Sequence, residues 1–148
     1  YTMQSLQEIS SERIKSANSN VRDALIVLDC DKYKDINDTY GHLQGDEVLI
    51  NISKSLTQTF RKTDIIGRIG GDEFCVYMRD IPSSDFVVSK CQQLKVLIKE
   101  LNRDLNVTLS IGIALLGDET SYDDLFKKAD KALYDAKKKG GNQMQFFE

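Results

Sequence analysis

The sequence predicts a single α+β domain. Ala24-Leu25-Ile26-Val27-Leu28 is a continuous apolar run of the kind that forms a buried central strand. Gly70-Gly71 separates two further strand-like stretches, Asp64-Ile65-Ile66-Gly67-Arg68-Ile69 and Phe74-Cys75-Val76-Tyr77-Met78. Both features lie among segments with helical apolar spacing, and a hairpin embedded among helices implies a mixed α+β sheet rather than a fully parallel one.

The elements follow in chain order. Residues 3 to 17 suggest a helix with Leu6, Ile9 and Ile14 as a sparse apolar face, opening without an evident cap. After the first strand, Val48, Leu49, Ile52 and Leu56 recur at helical spacing, and beyond the hairpin so do Val87, Cys91, Leu94, Ile98 and Leu101. Val107 to Ala114 reads as another strand. Leu125, Ala129, Ala132, Leu133 and Ala136 mark a last amphipathic helix, and a short tail follows around Met144-Gln145-Phe146.

Composition bounds the function. The 148 residues are 41% hydrophobic and 29% charged, enough for one compact core. A net charge of −3 excludes binding to a nucleic-acid polymer driven by overall basicity. The three cysteines are odd in number and widely spaced within apolar stretches, which argues against a disulfide framework or a zinc site and fits a reducing cytoplasm. No apolar run reaches the roughly 18 residues of a membrane span.

Gly70-Gly71-Asp72-Glu73-Phe74 is the most informative stretch, expected by chance in about one chain of this size in ten thousand. Glycines at a hairpin tip accept positive φ and leave the backbone open to a ligand. Asp72 and Glu73 are neighbours on an extended segment, so their side chains serve different faces: one suits a metal, the other a substrate or the protein itself. A second carboxylate pair, Asp29 and Asp31, ends the first strand. Its two-residue spacing fits a shared face with the Cys30 carbonyl between, a set of hard oxygen ligands suited to magnesium; it equally fits a strand that ends in polar residues. Asn37 and Asp46 offer an amide and a carboxylate that can read guanine, or simply cap an interhelical loop whose turn Gly41 and Gly45 permit. His42 is the sole histidine. Arg61-x-x-Asp64 is either a forked anion or guanine contact or a plain surface ion pair.

These residues together resemble the GGDEF-domain diguanylate cyclases. The resemblance rests on 29–34, on Asn37-Asp38-x-Tyr40-Gly41-His42-x-x-Gly45-Asp46, on Arg68-x-Gly70-Gly71-Asp72-Glu73-Phe74, on Val107-Thr108-x-Ser110-Ile111-Gly112, and on Ala129-Asp130-x-Ala132-Leu133-Tyr134-x-Ala136-Lys137. It implies a nucleotidyl cyclase or polymerase-palm fold with a ferredoxin-like core, a mainly antiparallel sheet flanked by helices. It also implies condensation of two GTP into cyclic di-GMP and two pyrophosphates by a transient homodimer, with magnesium, or alternatively manganese, as cofactor. Asp29, the Cys30 carbonyl and Asp72 would then hold metal, Asn37 and Asp46 guanine, and Lys34 and Lys137 the triphosphate. Glu73 would activate the ribose 3′-hydroxyl, and Tyr33 and His42 would line the pocket. Arg61 and Asp64 would form an inhibitory site for the product.

Two departures stand out. The family's Asp-x-Leu-Thr-Gly-Leu-x-Asn segment is missing ahead of Tyr1, so residues 1–148 read as one catalytic domain excised from a longer cytoplasmic or membrane-anchored signalling protein carrying a sensory domain. Gly141 stands where the family usually has a phosphate-contacting arginine. The alternative function is a catalytically weak receptor for GTP or cyclic di-GMP.

Overall fold

The computed structural model describes residues 1–16, 22–117 and 121–148. The chain order is α1 (Met3–Ser16), β1 (Ala24–Cys30), α2 (Tyr33–Tyr40), α3 (His42–Thr59), β2 (Ile65–Arg68), β3 (Glu73–Met78), α4 (Ser84–Leu101), β4 (Leu109–Leu115), α5 (Tyr122–Lys138) and β5 (Met144–Phe146). The strands form one sheet in the order β2-β3-β1-β4-β5. All neighbours are antiparallel except β4 and β5. The expected short tail is thus a fifth strand: Met144 pairs with Ile111 and Phe146 with Ile113. Three residues are too few to show a period, so their partner strand decides their conformation.

Alternation along β1 builds the two layers. Ala24, Ile26 and Leu28 pack with Val48, Ile52 and Leu56 of α3 and Val87, Leu94 and Ile98 of α4. Leu25 and Val27 face the other way, onto Leu6 and Ile14 of α1 and Leu125, Ala129 and Leu133 of α5. Each fully buried Leu or Ile contributes about 1.5–3 kcal/mol, and the central strand has all seven residues buried. The same alternation carries Asp29 onto the α1/α5 face. On β3, Cys75 and Tyr77 lie in that layer too, so Glu73 shares the face of Asp29.

One expectation is corrected at the first helix. It does have a cap: Thr2 Oγ1 accepts from the Ser5 amide at 3.1 Å. Its last expected residue, Ala17, lies outside the described residues. Among the described residues no helix is long and apolar enough to cross a membrane.

Candidate active site

Strand register assembles the carboxylates. β1 and β3 pair so that Asp29 lies opposite Glu73, and the Cys30 amide donates to the Asp72 carbonyl at 3.3 Å. The ends of the two central strands therefore bring Asp29, Cys30, Asp72 and Glu73 into one corner. α5 supplies the cation: Lys137 Nζ pairs with Asp29 Oδ2.

Asp29 is 3% exposed. Burial pushes its carboxyl up to about 6, Lys137 opposing the rise and the Asp72 and Glu73 charges adding to it. For Lys137 burial alone works against the charge, yet Asp29, with Glu73 and Asp72 behind it, leaves its pKa raised. One oxygen, Asp29 Oδ1, is buried with no hydrogen-bond partner. Crowded acidic groups and an orphaned carboxylate oxygen fit a divalent cation, which would supply the charge this corner lacks. No group of three or more His, Cys, Asp or Glu side chains poised for a metal occurs among the described residues. A cation would rest instead on the Asp29 and Asp72 carboxylates and the Cys30 carbonyl, completing its shell with ligand and water oxygens, as magnesium does.

Asp31 does not join this set. Its carboxylate accepts from Thr108 Oγ1 at 2.7 Å, Ser110 Oγ at 2.5 Å and the Asn142 amide at 2.8 Å. The shared face inferred from spacing is lost because β1 ends at Cys30 and Asp31 begins a turn. That turn passes through Lys32 in the left-handed region, φ 55°, and α2 starts with no side-chain cap. The first amides of α2, at Tyr33 and Lys34, are thereby left available to an anion. The Lys34 side chain is exposed.

Asn37, His42 and Asp46 lie where α2 meets α3. Gly41, at φ 91°, makes the turn between them. Gly45 does not; it lies inside α3, where a Cβ would collide with Asn37 Oδ1 and lie 2.9 Å from Asn37 Cγ and 3.1 Å from the Tyr33 hydroxyl. Its role is to let the Asn37 amide sit against the helix. Asp46 follows directly, exposed, one turn beyond the exposed His42. Asn37 Oδ1 is buried without a donor. Gly45→Ala should therefore displace Asn37 and, with Asn37 on guanine as the resemblance implies, weaken binding of a guanine nucleotide by about tenfold, the worth of roughly one lost hydrogen bond. Calorimetric titration with a non-hydrolysable GTP analogue checks this, and unchanged affinity would refute the role of Asn37.

The hairpin tip departs from the expectation in its dihedral angles and meets it in its open backbone. Neither Gly70 nor Gly71 has positive φ, and a Cβ on either would meet nothing within 4 Å. What they provide is open space above the backbone. The loop is held by Arg68, whose Nε donates to the Gly70 carbonyl at 3.0 Å and whose guanidinium also reaches the Gly71 carbonyl at 2.5 Å. This residue had no role in the sequence reading, although its place at the end of the strand before the glycines was the available signal.

Arg61 and Asp64 do come together, but not as a surface pair. The Asp64 side chain is fully buried and accepts from the Arg61 amide at 2.9 Å, from Arg61 Nε at 3.2 Å and from a second guanidinium nitrogen at 2.9 Å. The guanidinium also donates to the Arg79 carbonyl at 2.6 Å and lies over the Phe86 ring, 5.0 Å from its centroid. Asp64 thus orients an arginine that remains partly exposed.

A concavity of about 660 Å³ runs along α1 past Gln4, Glu8 and Lys15. It gathers none of these groups, and chemistry rather than volume locates the site.

The sheet order, the carboxylates at the ends of its two central antiparallel strands and the lysine facing them define a palm-type α+β domain. The family described as "Diguanylate cyclase, GGDEF domain" matches residues 3–143. The chain belongs to that family. It is 39% identical over 129 residues to the probable diguanylate cyclase DgcC of Escherichia coli K12, covering 84% of this chain and 35% of that protein. It is 33% identical over 132 residues to the diguanylate cyclase DosC of the same organism, covering 84% and 28%. The chain thus spans about a third of the length of these curated relatives. The crystal structure of the GGDEF domain of YfiN from Pseudomonas aeruginosa superposes with a TM-score of 0.91 at 28% identity, covering 100% of this chain and 96% of that one. A structure describing the interaction of a microbial GGDEF domain with cyclic di-GMP matches with a TM-score of 0.85 at 30% identity, covering 98% and 90%.

Proposed function

We propose that this domain is half of a magnesium-dependent diguanylate cyclase, which joins two GTP into cyclic di-GMP and releases two pyrophosphates. The observation that carries the proposal is the β1/β3 register, which sets Asp29 against Glu73 beside Asp72 and leaves Asp29 Oδ1 without a partner.

In this reading Asp29, Asp72 and the Cys30 carbonyl hold the metal. Bound magnesium, or manganese in its place, would neutralise phosphate charge and ease ionisation of the ribose hydroxyl. Asn37 and Asp46 fix guanine, with His42 and the backbone at Tyr33 lining the pocket. Lys34 and Lys137 grip the triphosphate and stabilise the charge that develops on the departing pyrophosphate. Glu73 takes the proton from the 3′-hydroxyl as its oxygen attacks the α-phosphorus and the bond to pyrophosphate breaks. Each domain binds one GTP, so two copies must face each other, brought together by domains outside this chain.

Mass spectrometry after incubating a dimerised full-length protein with GTP and magnesium tests the proposal. Cyclic di-GMP is the expected product. GTP binding with no product would leave a receptor, the reading that Gly141 favours by bringing no cation to the phosphates.

Product inhibition forms part of the proposal. Arg61 makes the ligand contact, and Asp64 holds it from below. Arg61→Ala should raise the inhibition constant for cyclic di-GMP by at least about tenfold. It should also cost about 1–3 kcal/mol in urea denaturation, because buried Asp64 loses both guanidinium donors and keeps only the backbone amides of residues 61 and 79. Unaltered inhibition by product would remove Arg61 from the control site.

A further inference from the structure

Asp29 and Asp31 are two residues apart and both reach the end of α5, but in opposite conditions. Asp29 is buried with one oxygen orphaned. Asp31 is saturated by neutral donors: Ser110 on Oδ1, and Thr108 and the Asn142 amide on Oδ2. A carboxylate satisfied in this way has nothing to offer a cation, and its donors tie three segments together. The Asp31 amide adds a fourth tie by donating to the Thr108 carbonyl at 2.9 Å.

The segment after α5 is shaped to make this contact. The Gly140 amide donates to the Lys137 carbonyl at 3.1 Å and the Gly141 amide to the Ala136 carbonyl at 3.0 Å, the paired bonds of a Schellman helix end. Gly140, Gly141 and Asn142 then have φ of 110°, 74° and 54°. These three left-handed residues swing the Asn142 amide back onto Asp31. A Cβ at Gly141 would lie 3.1 Å from Asp31 Oδ1, so the turn presses its bare backbone against the carboxylate. Lys95 of α4 closes the turn from outside, donating to the Asn142 carbonyl at 3.0 Å.

We infer that Asp31 is a positioning residue: it locks the end of α5 to the end of β1 and so sets Lys137 over the carboxylates. Its effect on nucleotide rests on the diguanylate cyclase reading above. Lys137 lies in the last turn of α5, beside buried Ala136, so the Asp31 contacts just beyond that turn fix the end of the helix from which Lys137 reaches Asp29.

A double-mutant cycle on the 148-residue chain tests this, read by calorimetric binding of a non-hydrolysable GTP analogue with magnesium. Asp31→Ala and Lys137→Ala should each weaken binding by about tenfold, and the double variant should lie within about twofold of Lys137→Ala alone, because one acts through the other. Asp31→Asn retains an acceptor for Asn142 and Thr108 and should stay within about threefold of wild type. Additive losses of about a hundredfold, or an Asp31→Asn loss as large as that of Asp29→Asn, would overturn the inference and make Asp31 a direct ligand. Amide exchange at Asn142 decides the lock independently of nucleotide: Asp31→Ala should accelerate it at least about tenfold, and an unchanged rate overturns the lock. Failure of the wild type to bind the analogue would count against the cyclase reading alone, with the exchange rate still judging Asp31.

Discussion

Asp29→Asn should abolish product formation and at the same time stabilise the metal-free protein. Both effects follow from one buried carboxylate. As a charge it is half of the expected metal site, so turnover should fall at least about a thousandfold. In the metal-free fold the same charge is a burden, because burial lifts its pKa from 3.8 to about 6. A raised carboxyl pKa means that the folded state holds its proton more tightly than the unfolded chain. Stability from this group is then full below about pH 4, falls as pH rises toward 6, and is absent above it. The neutral amide escapes that loss. At pH 7 with chelator present, Asp29→Asn should gain about 1–2 kcal/mol, or roughly 3–6 °C in melting temperature, and the advantage should shrink toward pH 4. A variant less stable than wild type at pH 7 would show that the Lys137 pair outweighs desolvation.

Gly112→Ala should be the most damaging small substitution in the core. Gly112 sits on β4 opposite Val27 of β1, where α5 crosses closest. A Cβ there would overlap the Ala129 carbonyl oxygen and the Leu133 amide and lie 2.8 Å from Leu133 Cα. All three obstacles are helix backbone, which cannot rotate away as a side chain can, so α5 must lift as a unit. The cost should be at least about 3 kcal/mol in urea denaturation, a large part of an ordinary domain's stability. Because Lys137 lies one turn beyond Leu133, activity should fall further than the unfolded fraction explains. A loss under about 1 kcal/mol would mean that the helix has slack which the static packing does not reveal.

Much of this was legible in the sequence because it depends on neighbours in the chain. The run from Ala24 to Leu28 located the central strand, and Gly70 to Phe74 located the hairpin. Asp29, Asp72, Glu73 and Lys137 could be gathered in advance because the family motif records their meeting. What escaped depends on distant partners. Asp31 looked equivalent to Asp29 until Ser110 and Asn142, remote in sequence, claimed its oxygens. Asp64 was read as a direct contact of an inhibitory site or as half of a surface pair, and only folding showed it fully buried beneath Arg61. Gly112 read as an ordinary strand residue, since nothing local announces the helix that will cross it. Gly70 and Gly71 were read both as positive-φ turn residues and as backbone open to a ligand; the structure keeps the clearance, drops the positive φ and leaves the loop to Arg68.

The unpaired Asn37 oxygen has one more consequence. A buried acceptor with no donor costs the empty fold about 1–3 kcal/mol. A ligand that brings an N–H to that oxygen removes the cost, whereas one that presents a lone pair leaves it in place and adds repulsion. The pocket would therefore select by refusal. Guanine offers donors along its pairing edge where adenine offers a bare ring nitrogen, so discrimination between them would come less from how well the right base is held than from how poorly the wrong one is endured.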